Sequence, residues 1–214
     1  MAKKLQLKYK KLTLKNGISC IAFRRQNIHS ISISVGVKVG SLIENPSNNG
    51  ISHFLEHLVF NGTKLFPTYK DLDGFINSIS GDGNAYTTID KTVFYGTFPC
   101  QYLGGALKYY SEIVFNPRLT QKSINKEKKI ILDELKRDRD IVENNLHNNI
   151  VENRFETKKT SFSFDIIGTR KNIEGFNRKQ LVNFYKQFYI PQNTEIVIAG
   201  KFKLSSLKEE LSRY

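Results

Sequence analysis

Alternating hydrophobic and polar positions dominate the first forty residues. Leu12 and Leu14 alternate with polar residues, Asn16-Gly17 supplies a tight turn, and Ile18, Cys20 and Ala22 alternate back, so Tyr9 to Ala22 predicts a hairpin. Ser30 to Val39 predicts a strand with Ile31, Ile33, Val35, Val37 and Val39 on one face. The polar run from Glu44 to Gly50 leads into a helical period over Ile51 to Phe60, which Asn61-Gly62 ends. Tyr69 to Ser78 predicts a second helix, with Leu72, Phe75, Ile76 and Ile79 inward. Gly81 to Thr87 reads as a glycine-rich turn entering a strand, Val93 to Phe98 as strand, and Tyr102 to Phe115 as a helix that stops before Asn116-Pro117. The longest helical pattern runs from Thr120 to about Asn149. After an irregular stretch from Phe162 to Arg170, Asn177 to Tyr189 is a helix ended by Pro191, and Glu195 to Ala199 is a short strand. No internal repeat or interior linker interrupts this mixture. The expected class is α+β, a mixed or antiparallel sheet packed with helices, in one domain over residues 1–214.

The helical period at Ile51 carries the chemistry. With about 100° per residue and Ile51 at zero, Ile51, Phe54, Leu55, Leu58 and Val59 form one apolar arc. His53, Glu56 and His57 fall opposite, at about 200°, 140° and 240°. Two imidazoles four residues apart lie one turn from each other and can grip a single zinc ion. Glu56 between them is placed to take a proton from a water on that ion. The order H-x-x-E-H, rather than H-E-x-x-H, is the inverzincin signature. Phe60, at about 180°, is the one large apolar residue that points with the ligands, which suits the wall of a substrate pocket. Two histidines and a water leave zinc one protein ligand short, and a carboxylate from another helix is the expected third. In the long helical pattern Glu127, Asp133, Glu134 and Asp138 are candidates, and spacing does not choose among them.

Composition narrows the alternatives. The formal charge is +13, and Lys3, Lys4, Lys8, Lys10, Lys11, Lys15, Arg24 and Arg25 all precede the first acidic residue, Glu44. No nucleic-acid-binding signature accompanies these charges, so they read as a solvated surface. Gly81 to Thr87 lacks the lysine-and-hydroxyl ending of a phosphate loop and precedes a strand. Cys20 and Cys100 form neither a disulfide framework nor a thiolate zinc site. No secretory signal or membrane-spanning run is expected, and a cytoplasmic location is expected ahead of the mitochondrial matrix.

Several motifs, in order, resemble the pitrilysin/insulinase (M16) family of zinc peptidases. They are Thr13-Leu14-Lys15-Asn16-Gly17, the stretch Val37 to Glu44, SHFLEHLVFNGT from Ser52 to Thr63, Gly83-Asn84-Ala85-Tyr86-Thr87, and Tyr189-Ile190-Pro191-Gln192-Asn193 followed by a strand and Gly200. The resemblance implies a zinc-dependent endopeptidase domain acting on peptides, with one Zn²⁺ per chain. His53, His57 and Glu134 match the metal ligands, Glu56 the catalytic base, and Glu127 the glutamate that supports the site. Phe60 matches a pocket residue, and Asn84, Ala85 and Tyr86 match an edge strand on which the peptide is laid as an added strand. Ser52 and Thr194 depart from the family pattern without touching a ligand. The family closes its chamber from paired homologous domains, the second supplying an arginine and a tyrosine toward the substrate carbonyl. The chain is therefore expected to be one catalytic half, working with a complementary half or as a homodimer. The alternative is a non-catalytic subunit that binds peptides or assembles with a second half.

Overall fold

The computed structural model describes residues 8–154 and 161–213; Lys3 and Lys4 of the basic leader lie outside them. Six strands form a single sheet: β1 (Lys10–Thr13), β2 (Ser19–Arg24), β3 (Ser30–Val37), β4 (Asp82–Thr87), β5 (Thr92–Pro99) and β6 (Thr194–Gly200). Their order is β1-β2-β6-β3-β5-β4. Only β2 and β6 run parallel, so the sheet is mixed and the fold is α+β, as the hydrophobic pattern predicts. The Asn16-Gly17 turn closes β1 on β2, with Gly17 at φ 95°.

Alternation in β3 decides what each face meets. Ile31, Ile33, Val35 and Val37 are buried under the helices, together with Phe94 and Phe98 of β5 and Ile196 and Ile198 of β6. Successive residues point to opposite faces, so Ser32, Tyr95, Thr97 and Val197 lie on the other side.

Among the described residues eight α-helices accompany the sheet: α1 (Ile51–Val59), α2 (Tyr69–Ser78), α3 (Leu103–Phe115), α4 (Gln121–Asp140), α5 (Val142–Arg154), α6 (Arg170–Gly175), α7 (Arg178–Phe188) and α8 (Leu204–Leu211). The predicted helix at Tyr69 is found with its capping box, Thr68 and Asp71 bonding reciprocally. The apolar arc of α1 is the centre of the core, with Phe54, Leu55, Leu58 and Val59 fully buried. Each such side chain contributes roughly 1.5–3 kcal/mol.

Three expectations are corrected. The pattern from Thr120 to Asn149 is two helices, because Ile141 is extended (φ −86°, ψ 116°) between α4 and α5. Asn144 donates to Asp138 Oδ1 at 2.7 Å, and Asn145 donates to the Arg139 carbonyl, so local asparagine bonds replace helical continuation there. Gly83 to Thr87 belongs to β4 itself rather than to a turn before a strand. The irregular stretch ends one residue early: Thr169 caps a short helix, α6, through Asn172 N.

Candidate metal centre

α1 and α4 meet so that two carboxylates of α4 face two histidines of α1. His53 Nε2 lies 3.8 Å from Glu134 Oε1, and His57 Nε2 lies 3.3 Å from Glu134 Oε2. One donor atom from each of His53, His57 and Glu134 falls within 4.8 Å of the others. Donors held about 2.0–2.2 Å from a tetrahedral centre are about 3.3–3.6 Å apart, so the gathering suits one zinc ion. A direct hydrogen bond accounts for only one of the two contacts: His57 reaches Glu134 at 3.3 Å, but 3.8 Å is too long for His53, whose buried Nδ1 also has no partner among the described residues. A nitrogen–nitrogen–oxygen donor set on two rigid helices fits the ion. Of the four acids open at sequence level, Glu134 alone enters this cluster; Asp138 instead accepts from Asn144.

Glu127, two turns before Glu134, is almost fully buried. Its Oε2 is 3.4 Å from His57 Nδ1, on the ring edge away from Glu134. Asn61 Nδ2 donates to Glu127 Oε1 at 2.9 Å, and Lys126 Nζ donates to Asn61 Oδ1 at 3.3 Å. A carboxylate behind a ligating imidazole fixes its tautomer and orientation.

Electrostatics separate the two histidines. Burial pushes His53 down to about 4, helped by His57. Burial also pulls on His57, but the carboxylates of Glu127 and Glu134 outweigh it and lift His57 to about 9. Glu134 is lowered, chiefly by His57; Glu127 is lowered too, burial being outweighed by His57 and Asn61. Glu56 moves the other way: burial raises it, against the Thr87 hydroxyl, which donates to Glu56 Oε2 at 2.5 Å.

Glu56 and His57 open into a cleft of about 600 Å³ with an apolar floor of Phe60, Leu72, Ile76 and Tyr109. Phe60 therefore lines the cavity as its place opposite the apolar arc predicts. Asn84 and Ala85 border the same cleft, whereas Tyr86 does not: its ring is 5.7 Å from Tyr95 on the far face of the sheet. Strand alternation is the reason, since Ala85 and Thr87 point to the helix side and Tyr86 must point away. Thr87 and Asn61 stand in motifs visible in the sequence, but no periodicity marks them as partners of Glu56 and Glu127.

The family model for insulinase (peptidase family M16) matches residues 20–163. The chain belongs to the M16 family of peptidases. A second model, for the M16 inactive domain, matches residues 175–214. A Rickettsia bellii protein named as an uncharacterized zinc protease is 34% identical over 200 residues, covering 94% of this chain and 48% of its own length. The mouse mitochondrial-processing peptidase subunit beta is 31% identical over 189 residues, 87% of this chain and 37% of its own. This M16 chain thus spans half or less of these curated relatives. A protease from Helicobacter pylori shares the fold, with a TM-score of 0.89 at 24% identity over 96% of this chain and 49% of that one.

Proposed function

We propose that this chain is the zinc-binding catalytic half of an M16 endopeptidase that hydrolyses peptides. One observation carries the reading: His53, His57 and Glu134 bring donors within 4.8 Å of one another, and His57 lines a cleft together with Glu56. Zinc bound there would supply Lewis acidity, lowering the pKa of water and polarising the scissile carbonyl. Glu56 accepts the proton of the attacking water and hands it to the leaving amine. Its raised proton affinity, set by burial, suits a group that must first take up and then release a proton. Glu127 holds the His57 ring, and Thr87 holds the Glu56 carboxylate.

Peptide binding is assigned to the β4 edge. The two edges of the sheet differ: β1 carries Lys10 and Lys11, charges that discourage strand addition, whereas β4 offers Gly83, Asn84 and Ala85 beside the cleft. A peptide added to β4 would run past Glu56, with Ala85 leaving room for a side chain and Phe60 lining its pocket. Tyr86 would contribute through its backbone, since its ring is on the other face.

Relatives about twice as long or longer favour a second half, either a separate complementary chain or domain or another copy of this one. The test is zinc content of the purified chain together with cleavage of a quenched fluorescent peptide library, with and without chelator. About one zinc per chain and chelator-sensitive cleavage are expected once the second half is supplied. Absence of zinc refutes the reading. Zinc without cleavage under any pairing leaves a non-catalytic, peptide-binding or assembly subunit as the function.

A further inference from the structure

Another carboxylate is buried near α1 without being aimed at the metal centre. Glu44 is only 5% exposed, and no cation pairs with it among the described residues. Three N–H groups satisfy it instead. Gly50 N donates to Oε2 at 2.8 Å, Asn49 Nδ2 to the same oxygen at 3.0 Å, and Ser52 N to Oε1 at 2.9 Å. These donors belong to the N-terminus of α1, where backbone N–H groups have no intrahelical acceptor.

α1 has no side-chain cap of its own: the Ile51 N–H bonds the Asn48 carbonyl at 3.0 Å, which leaves the next N–H, at Ser52, to Glu44. Its N-cap residue is Gly50, which offers no side chain, and its first turn carries no acidic residue. Nor can a capping side chain be placed there. Gly50 is left-handed (φ 93°), and a Cβ would lie 2.6 Å from the Ile167 carbonyl oxygen and 2.8 Å from Gly168 Cα. The cap must come from elsewhere in the chain, and Glu44 supplies it. The same region is tied to α6 and to the segment before it. Asn49 Nδ2 also donates to the Asp165 carbonyl at 2.8 Å, and Asn172 Nδ2 donates to the carbonyls of Pro46 and Asn49, both at 3.1 Å.

The consequence reaches the histidines. Ser52 immediately precedes His53, so the bond from Ser52 N to Glu44 sets the backbone from which the first imidazole projects. α1 is nine residues long, about 13.5 Å, and a frayed first turn displaces His53 while leaving the apolar contacts of Leu58 and Val59 in place. Resting on the reading that His53, His57 and Glu134 hold zinc, we propose that Glu44 is a positioning residue for the metal centre. It holds the first turn of α1 so that His53 meets Glu134, and losing it weakens metal binding without unfolding the chain.

Glu44→Gln tests this with little change in shape. One of its two terminal atoms becomes an NH₂ facing N–H donors, so at least one of the three bonds is lost. The zinc dissociation constant, from competition with a chromophoric chelator, is expected to rise about 10-fold in Glu44→Gln and further in Glu44→Ala. The visible spectrum of the Co²⁺-loaded protein is expected to change with it. Leu207→Ala, a cavity in α8 away from α1, is the control: it lowers the melting temperature but keeps the zinc constant and the Co²⁺ spectrum. A Glu44→Gln protein that melts earlier yet keeps both metal readouts overturns the proposal, since Glu44 would then stabilise the fold alone. Failure of both Glu44 variants to fold in the presence of zinc overturns it too. A wild-type chain that binds no zinc removes the underlying reading and the proposal together, an outcome distinct from the other two.

Discussion

On one side of α1, Phe54, Leu55, Leu58 and Val59 are buried against apolar neighbours, Phe54 meeting the Phe176 ring edge-on at 5.5 Å. On the other, His53 and Glu56 are buried almost as deeply, at 7% and 8% exposure, but against polar atoms from α4 and β4. Depth of burial therefore does not tell the two faces apart. What differs is the kind of partner each requires. An apolar face is satisfied by any close packing of the right volume, whereas each buried imidazole or carboxylate needs a particular atom at a particular distance. The first face holds the fold and the second holds the chemistry, so substitutions on the two should fail in different assays.

The largest expected separation is between Glu56→Gln and Phe54→Ala. Glu56→Gln removes the base and should lower turnover about 10²–10⁴-fold while zinc content and melting temperature stay near wild type. Phe54→Ala should cost about 3–5 kcal/mol of stability in denaturant melts, with the surviving folded fraction still binding zinc. If Glu56→Gln were to lose zinc, or Phe54→Ala to change turnover per folded molecule, the two faces would not be separable.

A smaller effect sharpens the polar side. Thr87→Val deletes the hydroxyl that orients Glu56 and should reduce kcat about 10-fold with KM little changed, while Thr87→Ser should recover most of the rate. Equal loss in both variants would locate the effect in packing at β4 instead of in the hydrogen bond.

The smallest effect is a proton. His57, lifted to about 9 in the metal-free protein, must be neutral to ligate, so zinc binding near pH 7.5 should release about one proton, measurable by calorimetry in buffers of different ionisation enthalpy. Affinity should then climb with pH toward 9 and level off above it. The metal-free fold should show the opposite trend. A histidine raised from its ordinary 6.5 contributes stability that is complete below that value and is lost as pH rises through about 9. His53, held near 4, changes charge in the folded state only below this window. A metal-free melting temperature flat from pH 6.5 to 9 would refute the assignment of that proton to His57.

Much of this was legible before any coordinates. Periodicity placed five of the six strands close to their observed bounds, anticipated the helices at Ile51 and Tyr69, and put Phe60 with the ligands. It missed what depends on competition among local bonds: the break at Ile141 and the short helix at Arg170, where asparagine and threonine side chains end or start a helix in ways a hydrophobic pattern does not register. The resemblance grouped Asn84, Ala85 and Tyr86 as an edge strand; β4 is at the sheet edge, and alternation turns the Tyr86 ring away from the cleft.

By itself the sequence determined the contents of α1: two histidines and a glutamate on one side and an apolar arc on the other, because both follow from a single helical period. Only the tertiary structure decided which acid of α4 faces those histidines, that Thr87 bonds to Glu56, and that Glu44 caps the helix from outside. Those contacts join residues from 5 to 81 positions apart, as Asn49 is from Glu44 and Glu134 is from His53. No local period connects such residues. Their meeting depends on how α1 is packed between the sheet and α4, which is settled by burial of the apolar face over the whole core.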